Sequence, residues 1–297
     1  MEHDIMKKKI SIGQIVLHTI FILLSLTYIL PFILVISISI SSESAIREFG
    51  YTILPKVIDF EAYRQIFQNP SRLLDSYVVT IFFSAVTTFL SVLVMTLMAY
   101  PLSRPNYKFK GVLTFYIFFT MLFSAGLVPS YIINSTYLHL DNTIWIYILP
   151  SLVNAWNIII IRTFFQGLPE GLVEAAKIDG ASEIRTYFQI IMPLSKPVIA
   201  TMAFFVVIAK WNDWNTALIY IRNPKLYSLQ YMLQKILREA DFVNDIAKNT
   251  GMFADYEIPT ESMRYAMAIL AAGPMLVVFP FFQKYFARGL TIGAVKG

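Results

Sequence analysis

The chain has 297 residues, of which 57% are hydrophobic, 15% aromatic and only 14% charged, and its mean hydropathy is +0.60. Soluble domains carry about 25% charged residues, so the composition excludes an ordinary water-soluble globule and makes the bilayer the expected solvent. With Cys 0 and only His3, His18 and His139, scattered along the chain, neither disulfide, redox nor metal chemistry is expected. A net charge of +5 would suit nucleic acid, but in a membrane chain the placement of the basic residues matters more than their sum, and no nucleic-acid partner is expected.

Apolar runs of about 20 residues, enough to cross a hydrocarbon core about 30 Å thick, fall near 17–40, 76–102, 112–134, 143–165, 198–221 and 265–285. The first follows Lys7, Lys8 and Lys9 and is longer than the apolar part of a signal peptide, so it reads as a retained signal-anchor helix; cleavage after 39–42 is the alternative. An even number of spans puts both termini on one side. The short segments there carry Lys7 to Lys9, then Arg104, Lys108 and Lys110 with no acid among them, and finally Lys284, Arg288 and Lys296, which marks that side as cytoplasmic.

The outer side holds longer segments at 41–75 and 222–264. The second is acidic (Glu239, Asp241, Asp245, Asp255, Glu257, Glu261), and its part from Leu226 to Leu237 has apolar residues at helical spacing. Such loops are either binding surfaces or plain connectors. Pro31, Pro101, Pro150, Pro274 and Pro280 fall within or at the ends of spans and predict kinked, packed helices. No repeat or linker interrupts the pattern, so 1–297 reads as one all-α transmembrane domain of six spans.

Between spans four and five lies a cytoplasmic stretch, 167–196. Pro169 suits the first turn of a helix, and Glu170 and Glu174 stand near its positive end. Asp179 and Gly180 break that helix, because glycine adopts the left-handed conformation that closes one. Ser182 can cap a second helix, expected to stop before Pro193, with Ile184, Tyr187, Phe188 and Ile191 forming an apolar stripe. The product is a helix-turn-helix across the ends of the spans, either an ordinary interfacial pair or a docking element for a partner's groove.

Span five carries Lys210, Trp211, Asn212, Asp213 and Trp214 in its outer half or near its outer edge. Aromatic rings beside amide and carboxylate groups suit a sugar, whose faces stack while its hydroxyls bond. The other reading is an interfacial aromatic belt with a structural Lys210–Asp213 bridge.

The stretch from 174 to 193 resembles the "EAA loop" of ATP-binding-cassette importer permeases, whose pattern is Glu-Ala-Ala, three residues, Gly, nine residues, Ile, one residue, Leu-Pro. The chain supplies Glu174, Ala175, Ala176, Gly180, Ile190 and Pro193, with Met192 in place of Leu. "AYPLSRPNYKFKG" (99–111), "LVPSYIINSTYLHLDNT" (127–143), "WNDW" (211–214) and "PFFQKYFARGLTIGAVKG" (280–297) are similar in order and spacing to maltose-type carbohydrate permeases, nearest the branch for complex polysaccharides and oligosaccharides.

The resemblance implies a multi-pass subunit of a bacterial cell membrane that moves an oligosaccharide by alternating access. Its partners would be a second homologous permease, two ATP-binding subunits that carry the ATP and magnesium, and an extracytoplasmic solute-binding protein. The chain itself would have no catalytic residue and no cofactor, in keeping with the absence of a Gly-x-x-x-x-Gly-Lys-Ser/Thr phosphate loop from the sequence. Glu174 to Ala176, Asp179, Gly180, Ile184, Tyr187, Phe188, Ile190 and Pro193 would couple to the ATPase, and Lys210 to Trp214 would be candidates for the substrate pathway. The rival functions are import of a polyamine, phosphate or peptide by the same architecture, or a self-sufficient secondary transporter or channel.

Overall fold

The computed structural model describes residues 12–250 and 258–294; Lys7, Lys8, Lys9, Asp255, Glu257 and Lys296 lie outside them, as do the side chains of Lys284 and Arg288. The regular structure is helical, with one isolated bridge between Ser41 and Ile58. α1 (Ile12–Ser39), α2 (Glu43–Phe49), α3 (Glu61–Ile66) and α4 (Pro70–Ser103) come first. They are followed by α5 (Lys110–Leu122), α6 (Leu127–Ile132), α7 (Trp145–Ile148), α8 (Ala155–Gln166) and α9 (Glu170–Ile178). The last are α10 (Glu183–Thr186), α11 (Met192–Leu194), α12 (Lys196–Trp211), α13 (Asn215–Tyr220), α14 (Leu229–Thr250) and α15 (Thr260–Ala294).

Among the described residues α1, α4 and Thr260–Gln283 of α15 are each long and apolar enough to cross a bilayer. Three bent pairs bring the total to as many as six: Lys110–Leu122 with Leu127–Tyr137 (113°), Trp145–Ser151 with Ala155–Gln166 (48°), and Glu183–Leu194 with Lys196–Trp211 (80°). The run expected at 112–134 is therefore interrupted, at Phe123–Gly126, where Gly126 takes φ +85°. The run expected at 143–165 breaks around Pro150, and the Ser91 hydroxyl donates to the carbonyl of Leu152 at 2.8 Å in that gap. A neighbouring helix thus satisfies a carbonyl left without an intrahelical partner at the break, as lipid requires.

The described chain falls into two compact units where composition shows no boundary. One comprises the chain up to Gln68 with Ile236–Leu270, the other Asn69–Lys235 with the chain from Ala271 on. In the first, the Glu43 carboxylate accepts from the backbone N–H of Glu261 and Ser262 at 3.4 and 3.3 Å, and Asn244 makes a reciprocal pair with Ile258, donating to its carbonyl at 2.8 Å and accepting its N–H at 3.0 Å. From Ile12 to Ile36, α1 has no buried residue, so its apolar surface is left for lipid or another chain.

In the second unit α4 is the central post, packed by α8 and α12. Ser76, Thr80, Ser84, Thr87 and Ser91 recur along its buried face at steps of four, four, three and four. Small side chains on one stripe let helix backbones approach where no hydrophobic effect drives them together. The core below this stripe is apolar, with Met95, Ile158, Ile161, Phe165, Ile191 and Met202 all at 1% exposure or less.

Candidate functional site

The 167–196 stretch is built on this core, and its turn follows from backbone chemistry. α9 ends at Ile178, and Gly180 sits at φ +74°. There the N–H of Ala181 donates to the carbonyl of Ala176 at 2.9 Å and that of Gly180 to the carbonyl of Lys177 at 3.1 Å, the two bonds of a Schellman cap. Ser182 then accepts the N–H of Arg185 through its side chain and starts α10.

The second helix does not stop before Pro193. It passes from α10 through a π-helical turn, Tyr187–Ile191, into α11 and reaches Leu194. The N–H of Met192 reaches back to the carbonyl of Tyr187, and this wider turn lets the helix continue over a residue that has no N–H to give.

The same turn splits the expected apolar stripe. Tyr187 and Ile191 are buried at 2% and 1%, whereas Ile184 and Phe188 are 71% and 51% exposed. The Tyr187 hydroxyl pairs with Thr96 Oγ1 of α4 at 2.7 Å, anchoring the buried side. Ile190 is partly buried and Pro193 exposed. On α9 Ala176 faces the core, while Glu174, Ala175 and Asp179 face outward, and Glu174 has no hydrogen bond or ion pair among the described residues.

A bracket that the spacing of the motif did not disclose fixes the pair of helices to α4. Tyr100 donates to Glu183 Oε2 at 2.6 Å, and Lys177 Nζ lies 2.9 Å from Glu183 Oε1. The Tyr100 hydroxyl, then Lys177, hold the Glu183 carboxyl below the ordinary carboxylate range. The Arg104 guanidinium stands 4.9 Å over the Tyr100 ring. These groups, with Ile184 and Phe188, line a cleft of about 580 Å³. The signal for this bracket was Glu183 in the first turn behind Ser182 and the basic, tyrosine-containing segment at 99–111, but sequence spacing alone could not pair segments more than 80 positions apart.

The other group, 210–214, is a break in a helix, so the span expected at 198–221 is not continuous. α12 stops at Trp211 and the short α13 begins at Asn215. Lys210 Nζ donates to Asp213 Oδ2 at 2.8 Å, to Ser151 Oγ at 2.8 Å and to the Tyr147 carbonyl at 3.4 Å. Asp213 also accepts the N–H and hydroxyl of Thr216 at 3.0 and 2.9 Å, which starts α13. Trp211 is 3% exposed and donates to the Ala271 carbonyl at 2.8 Å. Lys210, Trp211 and Asp213 thus hold the break together, while Asn212 and Trp214 remain on the exposed surface.

Sequence reasoning also missed Ser151, which shares the Lys210 ammonium, and Asn142. The Asn142 side chain accepts the N–H of Arg222 and Asn223 at 3.0 and 2.8 Å, clamping the 138–143 loop beside the break. Among the described residues no group of His, Cys, Asp and Glu is placed to hold a metal ion.

A family model described as "Binding-protein-dependent transport system inner membrane component" matches residues 69–292, including the helix-turn-helix and the break. The chain belongs to that family. The permease is 40% identical over 270 residues to Protein LplC of Bacillus subtilis (strain 168), with 91% of this chain and 90% of that one covered. It is 33% identical to the polygalacturonan/rhamnogalacturonan transport system permease protein YtcP of the same organism, covering 96% and 98%. It also matches a solved bacterial ABC transporter involved in the import of the acidic polysaccharide alginate, with TM-score 0.74, 30% identity, and 93% and 96% of the two chains covered. The permease is therefore a multi-pass component of a cell membrane, as its apolar helices require.

Proposed function

We propose that the permease is one transmembrane subunit of an ATP-binding-cassette importer for an oligosaccharide or polysaccharide fragment. The observation that carries the coupling role is the two-sided helix-turn-helix: Tyr187 and Ile191 root it in the core, while Glu174, Ile178, Ile184 and Phe188 present charge and apolar surface outward. An ATPase subunit seated on that surface would push the α9–α11 unit as a body, and the buried side would pass the displacement to α4 and α12. ATP and magnesium belong to two such subunits, and the permease contributes no catalytic group.

The carbohydrate assignment is supported by the relatives, whose names specify polygalacturonan, rhamnogalacturonan and alginate. In the pathway Asn212 and Trp214 are the residues left to meet a sugar, since Lys210 and Asp213 occupy one another. A second homologous permease completes the pathway, and both termini face the cytoplasm. The extracytoplasmic binding protein docks on the acidic outer segment that includes Leu226–Leu237.

The test is the native mass of the tagged 34.0 kDa chain, extracted gently from its own host, with its companions identified by peptide sequencing. Recovery with a related permease and two copies of an ATP-binding subunit is the expected result. A homo-oligomer that transports without an ATPase refutes the proposal.

A further inference from the structure

A second groove of about 620 Å³ runs between α5 and α8, away from both elements described above. Its lining has a sharp gradient. At the end where α5 starts and α8 finishes stand Lys110 and Arg162; below them come Thr114, Phe118, Met121 and, on the facing helix, Ile159 and Trp156. Lys110, Thr114, Phe118 and Met121 follow at steps of four, four and three, and Trp156, Ile159 and Arg162 at steps of three, so each set forms one face of its helix.

The two cations have little to do within the chain. Arg162 donates through Nε to the Leu102 carbonyl at 3.1 Å, which fixes the guanidinium plane and leaves both terminal amino groups without a partner among the described residues. Lys110 has no ion pair there, and no carboxylate lines the groove. The Thr114 hydroxyl, one turn below Lys110, is buried without a hydrogen-bond partner among the described residues. No side chain caps the first turn of α5 and no acid stands in it, so its amide dipoles add to the positive field.

We propose that this groove holds an anionic glycerophospholipid of the leaflet on the Lys110 side, its phosphate between Lys110 and Arg162 and an acyl chain along Phe118, Ile159 and Trp156. Charge and depth both select it. The eleven steps from Lys110 to Met121 span about 17 Å at ~1.5 Å each, close to the ~15 Å of one hydrocarbon leaflet. A planar guanidinium and an ammonium at headgroup level, with the Thr114 hydroxyl a turn below and apolar surface beyond it, match a phosphodiester bearing a fatty chain. Phe115 and Trp156, 68% and 60% exposed, extend that apolar wall outward. The assignment is independent of which solute the permease moves.

The experiment uses the full chain purified with its companions and reconstituted in nanodiscs of phosphatidylcholine with one-tenth phosphatidylglycerol carrying an acyl-chain diazirine. Illumination is expected to label peptides within 112–121 and 156–161. Excess plain phosphatidylglycerol should displace the label, whereas phosphatidylcholine or inorganic phosphate should not. Lys110→Gln and Arg162→Gln should each lower labelling here by about fivefold, from the typical contribution of one basic residue to anionic-lipid binding, and Arg162→Lys should retain most of it. Labelling elsewhere on the chain, unchanged in all variants, reports that they fold. Equal labelling by a phosphatidylcholine analogue, or labelling indifferent to both substitutions, overturns the proposal. So does a cross-link from a photoreactive residue at Phe115 to another subunit, which would make the groove a protein interface.

Discussion

Replacing Gly180 isolates the backbone of the turn between α9 and α10 from everything it touches. A Cβ built at this position meets nothing within 4 Å, so Gly180→Ala adds no clash and its whole effect comes from φ +74°. Holding an L-residue in the left-handed region costs about 1–2 kcal/mol, which at 1.36 kcal/mol per decade makes opening of the turn about 5 to 30 times more frequent. The reporter is hydrogen exchange at the Ala181 amide, bonded to the Ala176 carbonyl at 2.9 Å, measured by mass spectrometry on the reconstituted complex. Gly180→Ala should exchange faster by that factor. Gly180→Asn should stay close to wild type, because asparagine tolerates this conformation, and Gly180→Val should be worst, because a β-branched residue does not. Sugar uptake should fall in the same order. Unchanged exchange in Gly180→Ala, or Asn as damaging as Val, would refute the reasoning and leave direct contact with a partner as the reason for glycine.

Glu174→Lys, at a side chain with no described partner, should leave the permease folded and inserted but reduce recovery of the ATPase with it, read by co-purification. At the break in span five, Lys210→Met or Asp213→Asn alone should cost about 3–5 kcal/mol, since each strands a buried charge; both side chains are only 11% exposed. The double variant should melt closer to wild type than the sum of the singles, as read by thermal unfolding in detergent. Asn212→Ala should instead leave melting unchanged and weaken sugar uptake by about 2- to 12-fold, the range for one lost hydrogen bond. Glu183 supplies a pH test. Its folded pKa is depressed, so its stabilisation is complete above the unfolded value near 4.5 and is lost as pH falls through the lower folded value. Exchange protection of the Arg185 and Thr186 amides, corrected for intrinsic rates, should therefore begin to fall near 4.5 on acidification and finish falling below the lower folded value, and Glu183→Gln should abolish that step.

The solvent, the helical class and the position of the turn at Gly180 were determined by local chemistry. A scarcity of charge demands lipid, lipid demands helices whose backbone groups satisfy one another, and Asp179 followed by Gly180 favours the left-handed cap that closes a helix. Ser182 capped the next helix as its position predicts, and Glu174 and Gly180 stand in one surface element because they are six positions apart. Neighbours distant in sequence decided the rest. The stripe from Ile184 to Ile191 divides because a π-turn carries the helix over Pro193 while Thr96 holds Tyr187 inward. Lys210 and Asp213 are neighbours by spacing, but only Ser151 and Thr216, one of them 59 positions from the lysine, show them to be a saturated structural pair. Periodicity reports which face of a helix is apolar; which part of that face is covered depends on long-range packing, and that the tertiary structure alone decides.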